Sequence, residues 1–333
     1  MFEGKKILIT GGTGSLGQAL TKRLLSMNVD TVRIFSRNES DQIEMESSFK
    51  DDKLRFLIGD IRDLERLKIA VEDIDYVFHA AALKHVPKIE YNPFEAIETN
   101  VIGSQNVIDA CLSEGVEKAV CISTDKAVSP LNTYGATKLL MEKLFVTANN
   151  YLNPKRHPTK FIAVRYGNVL GSSGSVVPKF IDQIKRKETL TITDPNMTRF
   201  SITMDEALDF VLESTVNGEG SEVFVPKLRA YSILDLKDSL VEILNDTKHE
   251  IVGIRQGEKV REVLINEDEV KYTLDMGKNY LISNPFINNI LEKKHPEAKK
   301  VTDLKMYASD TVEKIPKEEL KTILKNSGMI SDI

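Results

Sequence analysis

A tyrosine and a lysine four residues apart stand near the middle of the 333-residue chain. Tyr134 and Lys138 lie on one face of a predicted helix, because residues i and i+4 are neighbours on a helix surface. An ammonium close to a phenol favours the phenolate, so we expect Lys138 to lower the pKa of Tyr134. A tyrosine tuned in this way can act as a base near neutral pH. The same spacing also occurs on ordinary surface helices, so its meaning depends on what surrounds it.

Three polar residues, Thr124, Asp125 and Lys126, precede this helix and follow a predicted apolar strand, Ala119–Ser123. The Thr124 hydroxyl can hydrogen-bond the Tyr134 hydroxyl or a reacting oxygen. Asp125 and Lys126 follow Thr124 directly and lie between the strand and the tyrosine helix.

Glycines at regular spacing follow the first predicted strand, Lys6–Thr10. Gly11, Gly14 and Gly17 form a G-x-x-G-x-x-G series that opens a predicted helix. In dinucleotide-binding folds the first glycine permits a tight turn, the second lets the backbone approach a pyrophosphate, and the third lets the helix pack on the strand. The N–H groups at the helix N-terminus then face the anion. The place of the series between a strand and a helix predicts a dinucleotide site.

The end of the second predicted strand bears on the choice between NAD and NADP. Thr31–Phe35 is followed by Ser36 and Arg37, with no carboxylate at the strand tip. An acidic residue there would bind the ribose 2′-hydroxyl of NAD, whereas an arginine suits the 2′-phosphate of NADP. The sequence therefore predicts NADP, although Glu39 two residues later leaves NAD open. Asp60, after the third strand, could bond the adenine amino group or cap a helix.

The predicted cofactor site draws on these loops, on the ends of the fourth and fifth strands and on the tyrosine helix. Its members are Gly11, Thr13, Gly14, Ser15, Leu16, Gly17, Ser36, Arg37, Asn38, Glu39, Asp60, Ile61, Ala80, Ala81, Ile122, Ser123, Tyr134 and Lys138. No metal is expected, because no Cys-x-x-Cys pair indicates a zinc site. The two cysteines, Cys111 and Cys121, fit core positions on a helical apolar stripe and in a strand.

Short apolar segments alternate with amphipathic segments through the first half of the chain. The predicted strands are Lys6–Thr10, Thr31–Phe35, Leu54–Ile58, Tyr76–His79, Ala119–Ser123 and Phe161–Arg165. Between them, apolar residues recur at helical spacing, as in Leu16, Leu20 and Leu24. Alternating strands and helices predict βαβ units with right-handed crossovers. We therefore expect an α/β fold, a Rossmann-type doubly wound parallel sheet.

Composition excludes several classes of partner. The formal net charge is −5, from 45 basic and 50 acidic residues, which argues against a nucleic-acid binder. No segment approaches the roughly 20 apolar residues needed to span a bilayer, so no membrane association is expected. The N-terminus runs straight into a strand without a signal peptide, so we expect a cytoplasmic protein.

Longer strings of residues resemble a known family. The glycine series, His79-Ala80-Ala81-Ala82, Ser123-Thr124 and the tyrosine–lysine pair are similar to the extended short-chain dehydrogenase/reductases. Residues 80–87, 123–127, 165–169, 174–178 and 197–200 resemble one branch, the inverting UDP-N-acetylglucosamine 4,6-dehydratases that begin pseudaminic-acid synthesis. The resemblance runs from residue 5 to about residue 270. It is specific in Asp125-Lys126, since related epimerases lack this pair and retaining dehydratases carry Asp-Glu there.

The resemblance implies a role for each matching residue. Tyr134 would deprotonate the sugar 4-hydroxyl while hydride leaves C4 for NADP, and Lys138 would hold the nicotinamide ribose. Lys126 would remove the C5 proton, and Asp125 would protonate the departing 6-hydroxyl. Asp125 could instead cap a helix, and Lys126 could be a solvated surface charge, but an adjacent acid and base directly before the tyrosine helix favour the catalytic interpretation. The hydride would then return to C6, and C5 would be reprotonated. The substrate implied is UDP-N-acetylglucosamine or a similar UDP-sugar.

Substrate contacts are also implied by the resemblance. The matching positions are Lys84, Asn168, Val177, Arg199, Arg255 and Glu258. Lys84 matches a family residue near both the cofactor and the substrate, so the resemblance adds it to the predicted cofactor site. Arginines suit a diphosphate, which rewards forked donors, although any one of them could be an exposed salt-bridge partner. Ser173 departs from the pattern, because many relatives carry an arginine there, and this leaves the sugar specificity open.

The later part of the chain is expected to form a second lobe. Helices are predicted at Val177–Lys187, Met204–Val216 and Leu234–Asn245, with short strands such as Glu222–Val225 between them. We expect a Rossmann domain over residues 1–166, a smaller C-terminal substrate-binding lobe for the nucleotide sugar over 167–283, and an extension of no assigned role over 284–333. The last Rossmann strands can interleave with the lobe. A homo-oligomer, either a dimer or a hexamer, is expected.

Two other functions fit parts of the pattern. A nucleotide-sugar 4-epimerase would use Tyr134 and Lys138 but would not need Asp125 and Lys126. A non-catalytic NADP-sensing regulator would typically lose the tyrosine or the lysine, and this chain has both.

Overall fold

A computed structural model of the chain describes residues 2–150, 152–153, 155–172, 175–245, 247–255, 257–284 and 294–330. Ser173, where the sequence departs from the family pattern, lies outside the described residues, as do parts of the predicted C-terminal extension. The first half contains the strands β1 (Lys6–Thr10), β2 (Thr31–Ser36), β3 (Leu54–Ile58), β4 (Tyr76–His79), β5 (Lys118–Thr124) and β6 (Lys160–Tyr166). Its helices are α1 (Ser15–Leu25), α2 (Glu39–Phe49), α3 (Leu64–Val71), α4 (Val86–Tyr91), α5 (Pro93–Ile97), α6 (Gly103–Glu114) and α7 (Thr133–Thr147).

These six strands pair in parallel in the order β3-β2-β1-β4-β5-β6. The chain moves outward from β1 in one direction through β2 and β3, then returns to the other side of β1 through β4, β5 and β6. Such a reversal opens a crevice at the carboxyl ends of the strands. The expected Rossmann-type α/β fold is confirmed.

The second half adds helices and short strands. Its helices are α8 (Val176–Lys185), α9 (Met204–Asn217), α10 (Ile233–Ile243), α11 (Glu267–Val270) and α12 (Lys317–Asn326). Its strands are β7 (Leu190–Ile192), β8 (Thr198–Phe200), β9 (Glu222–Pro226), β10 (Ala230–Ser232), β11 (His249–Ile251), β12 (Val263–Ile265), β13 (Thr273–Asp275), β14 (Asn279–Ser283), β15 (Lys299–Lys300) and β16 (Tyr307–Ala308).

The central sheet runs across the predicted lobe boundaries. β9 pairs in parallel with β6, and β14, β13 and β15 extend the sheet with antiparallel pairs, giving ten strands. Within the predicted extension, β16 pairs with β12, and α12 packs against α10. The division at residues 166 and 283 stays a prediction, and strands from beyond residue 166 belong to the central sheet.

Both faces of the sheet are buried, which explains why the strands are continuous apolar segments. Along β1, Leu8 packs into the core on one face, whereas Ile7 and Ile9 pack into the core on the other. Cys111 and Cys121 are free and buried in the first of these cores, as expected for small apolar residues. In the part of the chain that the structure describes, no helix is long and apolar enough to cross a membrane.

A buried ion cluster ties α7 to the sheet. Arg165 on β6 is fully buried and donates to Glu142 on α7, with Nη2 2.5 Å from Oε1 and Nε 3.0 Å from Oε2. It also donates to Glu269 on α11 at 2.8 and 2.9 Å. Glu142 in turn accepts from the Ser123 hydroxyl at the end of β5. Each buried charge therefore has a partner, and the cluster fixes the helix that carries Tyr134.

Candidate active site

The glycine turn after β1 lies at the crevice. Gly11 has φ +69°, and a Cβ there would lie 2.8 Å from the backbone of Ala81. A Cβ on Gly17 would lie 2.5 Å from the backbone of Gly12, so α1 packs directly on the turn. A side chain at either position would clash with fixed backbone. The turn thus leaves the N-terminus of α1 facing the crevice, the arrangement that suits a pyrophosphate.

A cleft of about 420 Å³ runs along this edge of the sheet. Every residue of the predicted cofactor site except Glu39, which is the first residue of α2, lines the cleft. Further lining residues, outside the predicted cofactor site, are Phe35, Asp41, Gly59, Ala82, Thr99, Val169, Ser172 and Met204. Gly59 could have been found, because it follows β3 at the carboxyl edge just as Gly11 follows β1. The residues and shape of the cleft fit a dinucleotide.

Charged residues gather where the second and third strands end. Arg37 is about half exposed, with Nη1 3.7 Å from Asp60 Oδ2, and Arg62 lies closer at 2.8 Å. Burial favours a higher pKa for Asp60, but the hydrogen bonds and charge of Arg62, together with Arg37, outweigh it and lower the pKa. Asp63, not Asp60, caps α3. Arg37 therefore keeps an exposed guanidinium at the cleft.

Tyr134 reaches the site because α7 begins directly against the turn that follows β5. Asn132 caps α7 by accepting from the Gly135 N–H at 2.8 Å. A Cβ on Gly135 would lie 2.2 Å from the carbonyl oxygen of Lys126, so only glycine allows this approach. The close packing places Tyr134 beside Lys126 and Thr124 as well as on the same helix as Lys138.

The expectation that Lys138 lowers the pKa of Tyr134 is wrong, because Lys138 is not among the groups that lower it. Burial raises the pKa of Tyr134 to about 12, and the groups that lower it are Lys126 and the Thr124 hydroxyl. Lys138 Nζ instead donates to the Ile122 carbonyl oxygen at 2.5 Å, and burial lowers the pKa of Lys138 to about 8. Sharing a helix face did not fix where the lysine points.

Asp125 and Lys126 form an ion pair in the short 3-10 turn Asp125–Ala127. Asp125 is 2% exposed, and its Oδ1 accepts from Thr124 Oγ1 at 2.8 Å and from Lys126 Nζ at 3.0 Å. Burial favours a lower pKa for Lys126, but the charges of Asp125 and Glu262 outweigh it, so the pKa is raised. The contact with Asp125 therefore favours the ammonium form of Lys126.

A buried glutamate that the sequence did not indicate completes this cluster. Glu262, directly before β12, is 3% exposed. Burial, followed by the charge of Asp125, raises its pKa to about 7. Asn168 joins it to the ion pair, with Oδ1 3.2 Å from Lys126 Nζ and Nδ2 3.0 Å from Glu262 Oε1. Glu262 gave no signal because a single glutamate before an apolar strand is an ordinary surface pattern.

The predicted substrate residues divide into three groups. Arg199 lies next to this cluster, with its guanidinium nitrogens 3.6 Å from Glu262 and 3.8 Å from Glu258. Lys84 is exposed and lines the cleft, and Arg255 is an exposed residue whose N–H donates to Glu258 at 3.3 Å. Val177 is 1% exposed in the core of the lobe, because α8 buries its apolar face there, and its contact with the sugar stays a prediction.

Comparison with known proteins places these features in a family. Residues 7–284 match the polysaccharide biosynthesis protein family. The chain is 47% identical to the UDP-N-acetylglucosamine 4,6-dehydratase (inverting) of Campylobacter jejuni, over 93% of this chain and 94% of that protein. It is 41% identical to the UDP-glucose 4-epimerase of Rickettsia bellii, over 100% and 98%. The solved structure of Pen from Bacillus thuringiensis superposes with a TM-score of 0.90 at 39% identity, covering 98% of both chains.

These matches extend over nearly the whole chain, and they agree with the sheet order and the glycine turn. The chain therefore belongs to the polysaccharide biosynthesis protein family, a group of extended short-chain dehydrogenase/reductases that includes the inverting UDP-N-acetylglucosamine 4,6-dehydratases.

Proposed function

We propose that this protein dehydrates UDP-N-acetylglucosamine to a UDP-4-keto-6-deoxy sugar of the L-arabino series, with inversion at C5. The observation that carries the proposal is the Asp125–Lys126 ion pair beside Tyr134. The identity to the Campylobacter enzyme supports the same reaction, which would begin pseudaminic-acid synthesis. Incubation with UDP-N-acetylglucosamine tests it, because mass spectrometry should show loss of one water molecule from the nucleotide sugar.

The cofactor proposed is NADP, held along the cleft from the glycine turn to Lys138. When bound, NADP would accept the hydride from C4 and later supply it to C6. Tyr134 takes the proton of the 4-hydroxyl. The Lys126 charge and the Thr124 hydrogen bond oppose the effect of burial on the Tyr134 pKa, so they ease loss of the phenolic proton.

The Asp125–Lys126 ion pair already holds the one proton that must move to make Asp125 an acid and Lys126 a base. The reaction needs a neutral Lys126 amine and a protonated Asp125 carboxyl, and this form has the same number of protons as the ion pair. Transfer of one proton across the 3.0 Å between Nζ and Oδ1 interconverts the two forms without solvent. Lys126 then removes the C5 proton, and Asp125 gives its proton to the departing 6-hydroxyl. Water leaves, and the pair returns to ammonium and carboxylate.

The second candidate is a nucleotide-sugar 4-epimerase, which the 41% identity to the Rickettsia protein favours. Epimerisation needs a base at the 4-hydroxyl and a returned hydride at C4, so Tyr134 and Lys138 would suffice. It gives no role to a buried acid–base pair beside that tyrosine. The two candidates are separated by mass, because an epimer has the mass of its substrate.

Replacing Arg37 with alanine should weaken NADP binding more than NAD binding. Its exposed guanidinium is the donor at the cleft suited to a 2′-phosphate. Loss of a charged hydrogen bond corresponds to roughly tenfold to hundredfold weaker NADP binding, with NAD nearly unchanged. Calorimetric titration of both cofactors checks this. Arg55→Ala is the control, since Arg55 donates to local backbone carbonyls at the other end of β3. An unchanged preference for NADP over NAD in Arg37→Ala would refute the assignment of Arg37 to the 2′-phosphate.

We also propose a homo-oligomer, a dimer or a hexamer. Large apolar side chains are exposed on the adjoining helices α4, α5 and α7 and on the π-helical segment Glu98–Ile102 between α5 and α6, namely Tyr91, Phe94, Leu140 and Ile102. Apolar patches of this kind on a water-soluble surface favour association. Light scattering should give a multiple of the chain mass of 37.4 kDa, and a monomer at micromolar concentration would refute the proposal.

A further inference from the structure

Glu262 is the acidic residue of the site that the proposed reaction leaves without a role. Both of its carboxylate oxygens are held by donors from different parts of the chain. Oε1 accepts from Asn168 Nδ2 at 3.0 Å, and Oε2 accepts from the Phe200 N–H at 2.8 Å. A Cβ on Gly167 would lie 3.2 Å from Oε2, so the glycine leaves room for the carboxylate beside the backbone after β6. The two hydrogen bonds hold the Glu262 carboxylate in place.

The Asn168 amide has one donor end and one acceptor end. An ionised carboxylate can only accept, so Glu262 attracts the Nδ2 end of Asn168. That leaves Oδ1 facing Lys126 Nζ, at 3.2 Å, on the side away from Glu262. Lys126 is then held between two acceptors, the Asp125 carboxylate and the Asn168 carbonyl oxygen.

We propose that Glu262 is a positioning residue for the Lys126 base: its carboxylate orients the Asn168 amide, which holds the Lys126 amine beside Asp125. This inference rests on the proposed dehydratase function. Glu262 itself need not touch the sugar, because it acts through Asn168. An amide with fixed orientation keeps the amine aimed while the proton passes between Lys126 and Asp125.

The charge of Glu262 should matter near neutral pH, since burial raises its pKa to about 7. The titratable and charged groups that face Glu262 and Lys126 are Asp125, Tyr134, Arg199, Tyr231 and Lys259. Below this pKa the protonated carboxyl can donate, so either end of the Asn168 amide satisfies it. The orientation of the amide is then no longer fixed, and kcat should fall as the pH drops through about 7.

Glu262→Gln tests this without changing the size of the side chain. The Phe200 N–H is a fixed donor, so it attracts the oxygen of the new amide and leaves the new NH₂ facing Asn168. Asn168 must then turn its own NH₂ toward the Lys126 ammonium. We expect kcat above neutral pH to fall roughly tenfold to hundredfold, as misplaced catalytic groups do. We also expect the acidic limb of the kcat–pH profile near pH 7 to disappear.

Two further variants separate positioning from folding. Glu269→Gln is the matched control, because Glu269 is a largely buried glutamate bonded to Arg165 rather than to Asn168. It should lower the melting temperature yet keep the acidic limb. Asn168→Leu removes the amide through which Glu262 acts on Lys126. Adding Glu262→Gln to Asn168→Leu should therefore change kcat by less than about twofold, because the two residues act in series.

The acidic limb of the kcat–pH profile separates a positioning role of Glu262 from a merely structural one. A folded Glu262→Gln variant that keeps the wild-type limb, or that changes KM alone, would overturn the positioning role. Fully additive effects with Asn168→Leu would do the same. If the wild-type protein forms no dehydrated sugar, the proposed function itself fails, and that result is distinct from an unchanged variant of an active enzyme.

Discussion

Tyr134→Phe should nearly abolish turnover while leaving the fold intact. The substitution keeps the ring but removes the hydroxyl that takes the proton from the sugar 4-hydroxyl, and the later steps all depend on the ketone formed there. General-base catalysis contributes about 10²- to 10⁴-fold, so a loss of about 10³-fold in kcat is expected. Initial rates of product formation by mass spectrometry measure it.

Tyr166→Phe provides a matched control for this variant. Tyr166 is a buried tyrosine whose pKa is raised by burial and, to a smaller extent, by the neighbouring Tyr134. Its ring packs edge-on against Phe210. It has no role in the proposed chemistry, so its variant should keep most of the wild-type rate. Circular dichroism and thermal unfolding should match for the wild type and Tyr134→Phe. Turnover of Tyr134→Phe near the wild-type rate would exclude Tyr134 as the base.

Asp125→Asn should bind the substrate but eliminate water slowly. The amide keeps the shape of the carboxyl group and can still contact Thr124 and Lys126, yet it has no acidic proton for the departing 6-hydroxyl. We expect elimination to fall by about 10²- to 10⁴-fold, the usual contribution of a general acid. Removing the Asp125 charge also removes the strongest attraction that raises the Lys126 pKa, so the amine becomes a more available base.

Exchange at C5 separates the acid from the base. In Asp125→Asn, deuterium from heavy water should still enter at C5 while water loss is slow, because Lys126 remains. Lys126→Met is the complementary variant, and it should lose both exchange and elimination. NMR of the nucleotide sugar follows exchange, and mass spectrometry follows dehydration. An Asp125→Asn variant that binds weakly but eliminates at the normal rate once bound would contradict the acid role.

The sequence predicted the parts of the site that depend on local spacing. The glycines at 11, 14 and 17 have a steric reason that any strand–turn–helix of this kind shares, and β1, β3 and β4 have the predicted bounds. The acid–base pair follows β5 and the tyrosine opens α7, so the order of elements alone brings them to one edge of the sheet.

Contacts between distant parts of the chain could not be predicted in this way. Glu262 reaches Asn168 across 94 residues, and nothing in the residues around either one indicates the contact. Lys138 shares a helix face with Tyr134, but its direction is set by the Ile122 carbonyl of β5. Val177 matched a family position, yet the apolar face of α8 buries it in the lobe.

The configuration at C5 of the first product tests the central proposal most directly. The wild-type protein is incubated with UDP-N-acetylglucosamine and NADP in heavy water, and NMR spectra are recorded within minutes, before slow epimerisation. We expect a UDP-4-keto-6-deoxy sugar of the L-arabino series, with one deuterium at an inverted C5. A first product with the D-xylo configuration would reject the inverting assignment to Lys126. A 4-epimer with the same mass as the substrate, formed without loss of water, would reject the dehydratase function altogether.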